Sequence, residues 1–125
     1  MIGKDVDWAI IVHDGAKDME PEEEGANRGG VLQAVTAGRD ILAAGGGAVD
    51  AVEAAIRTLE DLPVFNAGRG SMPNQVGEIE MCAGLMDGRD LSAGAAGTIR
   101  QVRNPIEVAR ALLAEKEVLL VAGGA

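Results

Sequence analysis

The sequence predicts an α+β fold in which helices are layered on largely antiparallel strands. Three observations lead to it. The segments follow one another in the order β, α, α, β, β, α, β, which is not a run of βαβ crossovers. Val49, Val52, Ile56 and Leu59 recur at spacings of three, four and three, one face of a helix. The core must be built from small and aliphatic residues, because Trp8 and Phe65 are the only aromatics and 18 of the 125 residues are glycine. That is about twice the usual glycine share of roughly 7%.

The elements can be taken in order. Trp8–His13 is a short apolar run bounded by charge on one side and Asp14-Gly15 on the other, and it reads as a buried strand. Pro21 followed by Glu22, Glu23 and Glu24 starts a helix: proline suits the first turn, and acids suit the positive end of the dipole. This helix runs through Val31, Leu32, Val35 and Arg39 to Leu42, with its first half weakened by Gly25, Gly29 and Gly30. Gly45-Gly46-Gly47 ends it. A second helix covers Asp50–Glu60, where alanines let a neighbouring layer come close. Pro63 stops it, since a residue before proline is pushed out of the helical region.

Phe65–Gly70 is an irregular glycine-bearing loop. Glu78–Ala83 alternates polar and apolar, as an antiparallel strand with one wet face does. Met86–Arg89 carries an Asp-Gly turn signal, and Ala93–Val102 is a second strand. Asn104 as N-cap and Pro105 at the first position open a helix running to Glu115. Val118–Val121 is a last strand, with no partner element after it. Residues 1–125 form a single domain in this reading. So thin a supply of bulky apolar residues is the first hint that the chain packs against something else.

Composition removes several classes of function. The net charge of −9, from 20 acidic and 11 basic residues, argues against nucleic acid and anionic membranes. No stretch reaches the about 18 consecutive apolar residues of a membrane span. The first fifteen residues make a poor signal peptide, so a cytoplasmic location is expected. Cys82 is the only cysteine and sits in an expected strand, where it reads as buried and inert. His13 and Cys82 fall short of the four ligands a structural zinc site wants. His13 beside Asp14 reads as a packing or hydrogen-bonding residue, with a carboxylate-oriented general base as the other reading. Gly45–Gly47 lacks the lysine and spacing of a phosphate loop and reads as a helix-to-helix turn. What remains is Leu59–Ser71, a helix end passing into a tight loop whose free carbonyls suit water or a hard cation.

A run of motifs in order resembles the isoaspartyl peptidase/plant-type asparaginase family. It includes Gly38-Arg39-Asp40-Ile41-Leu42, Ala48–Ile56, Phe65-Asn66-Ala67-Gly68-Arg69-Gly70, Met86-Asp87-Gly88, Gly94-Ala95 and Arg103-Asn104-Pro105-Ile106. The resemblance implies the α-chain part of an αββα four-layer sandwich of the N-terminal-nucleophile hydrolases. It implies a precursor that cuts itself, with the nucleophile an N-terminal threonine on a separate β chain, in an (αβ)2 assembly. A terminal threonine carries its own base, the free α-amine. The substrates implied are small amides of the asparagine kind and isoaspartyl dipeptides. In this chain no threonine is so placed: Thr36 and Thr58 fall in expected helices and Thr98 in an expected strand.

Carried over residue by residue, Leu59, Glu60, Leu62, Phe65, Ala67 and Arg69 match the family's loop that binds Na+ through main-chain carbonyls. Asn66 matches an asparagine at the floor of the active site that positions the nucleophile. No organic cofactor is implied. This sequence departs from the family pattern at His13-Asp14-Gly15-Ala16-Lys17, where His-Gly-Gly-Ala-Gly is usual, and at Met81-Cys82-Ala83. Family α chains also run past the last strand to the cleavage threonine, whereas this chain stops at Ala125. The linker is therefore expected to be trimmed, or α to be made separately. Two rival readings stand beside this one: a non-catalytic, stand-alone α-like binding module, and a diverged amidohydrolase subunit of specialised metabolism.

Overall fold

The computed structural model describes residues 7–16 and 18–121. Within them lie three helices, a short 3-10 turn and three strands: α1 (Pro21–Ala43), α2 (Ala48–Asp61), the turn Gly68–Gly70, β1 (Met81–Met86), β2 (Ala93–Ile99), α3 (Pro105–Leu112) and β3 (Leu119–Val121). The three strands form one sheet in the order β1-β2-β3.

The middle layer is α2, which is apolar on two sides. Val49, Val52 and Ile56 pack with Leu85 of β1 and Ile106 and Ala109 of α3. Ala51 and Ala55 are buried on the side that meets α1. The matching stripe of α1 is Asn27, Gly30, Ala34 and Gly38, at spacings of three, four and four. The close approach explains the small residues: a methyl at Gly38 would sit 2.8 Å from the Ala51 carbonyl oxygen. The glycines do not delay the start of α1: Gly25 and Gly29 face open space, whereas Gly30 lets Phe65 pack against the helix.

The β1–β2 hairpin is antiparallel, with Gly84 opposite Ala95 and Met86 opposite Ala93. Its register shifts between Met81 and Ala83, where Thr98 takes a φ of +51° and bulges out. The sheet is mixed: β3 adds to β2 in parallel, pairing Ala95 with Leu119 and Gly97 with Val121. Helix α3 makes this possible as the crossover. It covers one sheet face through two clusters, one with Leu85 and one in which Met81, Ala96 and Ile99 pack with Val108.

Several expectations need correction. Trp8–His13 is not a strand: no described strand pairs with it, and Ile11 is 91% exposed. An apolar run becomes a strand only beside a partner that accepts its hydrogen bonds. The first hairpin strand lies at 81–86 rather than 78–83, because Glu78 and Glu80 are held by Arg100 in an ion-pair triad outside the ladder. The second strand ends at Ile99, since Gln101 also has positive φ, and α3 ends at Leu112. Cys82 is exposed on the sheet face away from α3, not buried.

Asn104 is the N-cap residue of α3, but its side chain does not cap it. Instead Asn104 donates to Asp61 at 3.2 Å, and the buried Glu60 carboxylate of α2 accepts from the Ile106 N–H at 3.0 Å. Glu60 is 3% exposed, and its second oxygen has no partner. Burial pushes its carboxyl above the ordinary glutamate range, and the Ile106 N–H and the Asn104 side chain partly offset this. Glu60→Leu strips the acceptor from a buried N–H, whereas Glu60→Gln keeps an oxygen there. Urea unfolding is expected to place Glu60→Leu about 1–2 kcal/mol below Glu60→Gln, part of the loss being offset by removing the unpartnered oxygen. Equal midpoints would mean the interhelix cap contributes nothing.

The turn after β1 is built on Asp87, which is 7% exposed and whose carboxylate takes the Arg89 backbone N–H and guanidinium. The Arg89 side chain, then its backbone N–H, hold that carboxyl down to about 2. A carboxyl lowered by folding adds stability above its unfolded value, near 3.9, and loses it as pH falls through the folded value. The thermal midpoint is therefore expected to fall more steeply between about pH 4 and pH 2 in the parent than in Asp87→Asn. Parallel pH profiles would remove Asp87 as the source.

Candidate functional site

One concavity has a volume of about 730 Å³, and three segments build it. The first is the irregular stretch before α1. Here the His13 Nδ1 accepts from the Gly15 N–H at 2.9 Å, which folds His13–Ala16 into a turn with a Gly15 φ of +107°. An imidazole accepting at Nδ1 carries its proton on Nε2. The second segment is the first half of α1, which supplies Glu23 and Asn27, four residues apart on one face. The Asn27 Nδ2 donates to the Glu23 backbone oxygen at 3.0 Å.

The third segment is the end of α2 and the loop after it, with Leu59, Pro63, Val64, Phe65, Asn66, Ala67, Gly70 and Met72. Phe65 anchors this loop. It is buried, and its ring lies where a methyl on Gly30 would be, 2.6 Å from that position. The 3-10 turn Gly68–Gly70 then brings the chain back over its own carbonyls. A methyl at Gly68 would lie 2.5 Å from the Glu60 oxygen, and one at Gly70 would overlap the Phe65 oxygen and lie 2.6 Å from that of Pro63. The Asn66 side chain closes the loop by accepting from the Met72 N–H at 2.8 Å.

Of the residues singled out from the sequence, Leu59, Phe65, Asn66 and Ala67 line this cavity, together with His13 and Asp14. Glu60 lies beneath the loop, Leu62 is half-buried, and Arg69 borders a different depression with Asp61, Gln101 and Arg103. Lys17 lies outside the described residues. Asn27 was not legible as a site residue. Its only signal is that one polar side chain interrupts the small-residue stripe of α1. Among the described residues lining the cavity there is no serine, threonine, cysteine or lysine, so acyl transfer there would need a nucleophile from elsewhere.

Comparison with known proteins agrees with the motifs. A family model described as asparaginase matches residues 6–125. The isoaspartyl peptidase/L-asparaginase of Bos taurus is 49% identical over 105 residues, which are 83% of this chain and 34% of that protein. The Rattus norvegicus protein of the same name is 47% identical over 110 residues, 87% of this chain and 33% of its own length. The plant-type L-asparaginase of Pyrococcus abyssi is 49% identical over 119 residues, 94% of this chain and 39% of that protein. The chain thus spans about a third of the length of these relatives. With the match running over nearly all of its residues, the chain belongs to the asparaginase family.

Proposed function

We propose that this chain is the α portion of an isoaspartyl peptidase/L-asparaginase-type amidohydrolase. It scaffolds the active site, and the reacting threonine comes from a separate β chain. One observation carries this reading: the cavity gathers the family-matching segments, yet no hydroxyl, thiol or lysine amine among its described lining residues can attack. Asn66 lines that cavity and is locked by the Met72 N–H, as suits a group that positions a nucleophile.

The uncovered sheet face supports the remainder of an αββα sandwich. Cys82, Gly84 and Met86 of β1, Ala95 and Gly97 of β2, and Leu119 and Val121 of β3 lie opposite the α3 face. They are small or apolar, as sheet-on-sheet packing at about 10 Å requires. A loop Na+ would be held by the carbonyls of Leu59, Glu60, Leu62, Phe65, Ala67 and Arg69. The crowding of the Glu60 and Phe65 oxygens against Gly68 and Gly70 supports that ligand set. The Leu59, Leu62 and Ala67 oxygens already accept from the Leu62, Phe65 and Gly70 N–H groups, so the ion would use their second lone pairs and tie these turns together.

The test is to purify the protein at full length, identify its chains by mass spectrometry, and assay ammonia release from asparagine and aspartate release from isoaspartyl dipeptides. A chain beginning with threonine and activity on either substrate is the expected result. A stable protein without such a chain overturns this reading and favours the stand-alone binding module. A threonine-headed chain with neither activity points to the diverged amidohydrolase.

A further inference from the structure

The sequence holds two Asp-Gly pairs, Asp14-Gly15 and Asp87-Gly88. In such a pair the glycine nitrogen can close a five-membered ring on the aspartate side-chain carbon, and glycine has no side chain to screen the approach. The fold treats the two pairs differently. At the first, the Gly15 N–H points at the His13 Nδ1, 2.9 Å away, so a base already touches the nitrogen that would attack. Asp14 and Gly15 are exposed, and no described residue holds the Asp14 carboxylate. Among the described residues, nothing lies within 4 Å of where a Gly15 methyl would be, so the ring has room to form. At the second pair, the Asp87 carboxylate is 7% exposed and is clamped through both oxygens by Arg89. Held there as an anion, it has no hydroxyl to lose.

We infer that Asp14-Gly15 is a self-modification site, at which His13 acts as base while the Gly15 nitrogen attacks the Asp14 side-chain carbon and Asp14 becomes isoaspartate. The attack falls on the protonated carboxyl. The bond from the Gly15 nitrogen to the Asp14 Cγ forms, and the N–H proton passes to the His13 Nδ1. The Cγ–OH bond breaks, and the proton on Nδ1 joins the departing hydroxide. One water leaves, and the imidazole is restored. A second water then opens the ring at the Asp14 main-chain carbonyl carbon. That carbon becomes a free carboxylate, and the chain now runs through Cγ, longer by one methylene. Atoms balance, with one water lost and one gained, and no oxidant or cofactor is consumed. The product takes the Gly15 N–H out of register with His13, and so rebuilds the turn that walls the 730 Å³ cavity.

The test ages the full-length protein in neutral buffer over several weeks. Peptides covering the two pairs are then separated, and their linkages are distinguished by radical fragmentation in a mass spectrometer. Isoaspartate is expected to accumulate at Asp14 and not at Asp87, through an intermediate lighter by one water. His13→Gln keeps an acceptor at this exposed position but no base. It is expected to slow conversion at Asp14 at least about tenfold, since a positioned base contributes typically about 10²–10⁴-fold. In urea the His13–Gly15 bond and the Arg89 clamp are both lost, so the difference between the two sites is expected to vanish. Conversion at Asp14 no faster than at Asp87, an unchanged rate in His13→Gln, or a difference that persists in urea overturns the inference. The readout is a linkage in this chain, so it stands or falls independently of whether the cavity hydrolyses amides.

Discussion

Gly70→Ala is expected to destabilise the protein by more than about 3 kcal/mol, enough to leave a marginally stable protein largely unfolded at 37 °C. The backbone at Gly70 has no positive φ, so conformational freedom is not at issue. The cost is space. The added methyl would overlap the Phe65 carbonyl oxygen and lie 2.6 Å from the Pro63 oxygen, and backbone atoms cannot rotate aside as a side chain can. Gly77→Ala is the control. There φ is +82° but nothing lies within 4 Å of the new methyl, so only the left-handed backbone strain of about 1 kcal/mol applies. Thermal unfolding of the two variants separates the contributions. If Gly70→Ala melts no lower than Gly77→Ala, the carbonyls do not converge on the loop as described.

The second large effect is expected at Ile106. It is 1% exposed and sits where α2, α3 and β1 meet, packed with Val49, Leu85 and Ala109. Ile106→Ala removes its branched tip and leaves a cavity among helices tied together by the Glu60 bond to the same residue's N–H. A loss of about 2–5 kcal/mol is expected, against about 0.5–1.5 for Ile106→Val. Urea midpoints with unchanged slopes are the measurement. An alanine variant no less stable than the valine variant would mean the cluster collapses around the gap.

Both residues lie in segments whose importance could be read from the sequence, but for different reasons. The Phe65–Gly70 stretch was legible through its family wording and its two glycines. Why Gly70 must be glycine depends on where the Pro63 and Phe65 oxygens point. Ile106 follows Asn104-Pro105, a helix start that was placed correctly. Asn104 is the N-cap residue as expected, but the side chain that accepts from the first turn is Glu60, from 46 residues away. The site shows the same division. Asn66 was recognisable, whereas Asn27 became a candidate only when α1 packed it against the cavity wall.

By itself the sequence determined the local elements. Alternation, helical spacing, proline and glycine placement act over a few residues, so α1, α2, the hairpin and the start of α3 follow from neighbours in the chain. The same residue order carried the family and the lack of a suitably placed nucleophile. Tertiary structure decided what depends on distant partners. Among the described residues it left Trp8–His13 without a strand to pair with, and it turned Cys82 outward. It set β3 parallel to β2 and brought Asp14, Asn27 and Asn66 around one cavity. Hydrogen-bond partners and packing neighbours far apart in sequence leave no periodic mark on either segment, so only the folded chain shows which of them meet.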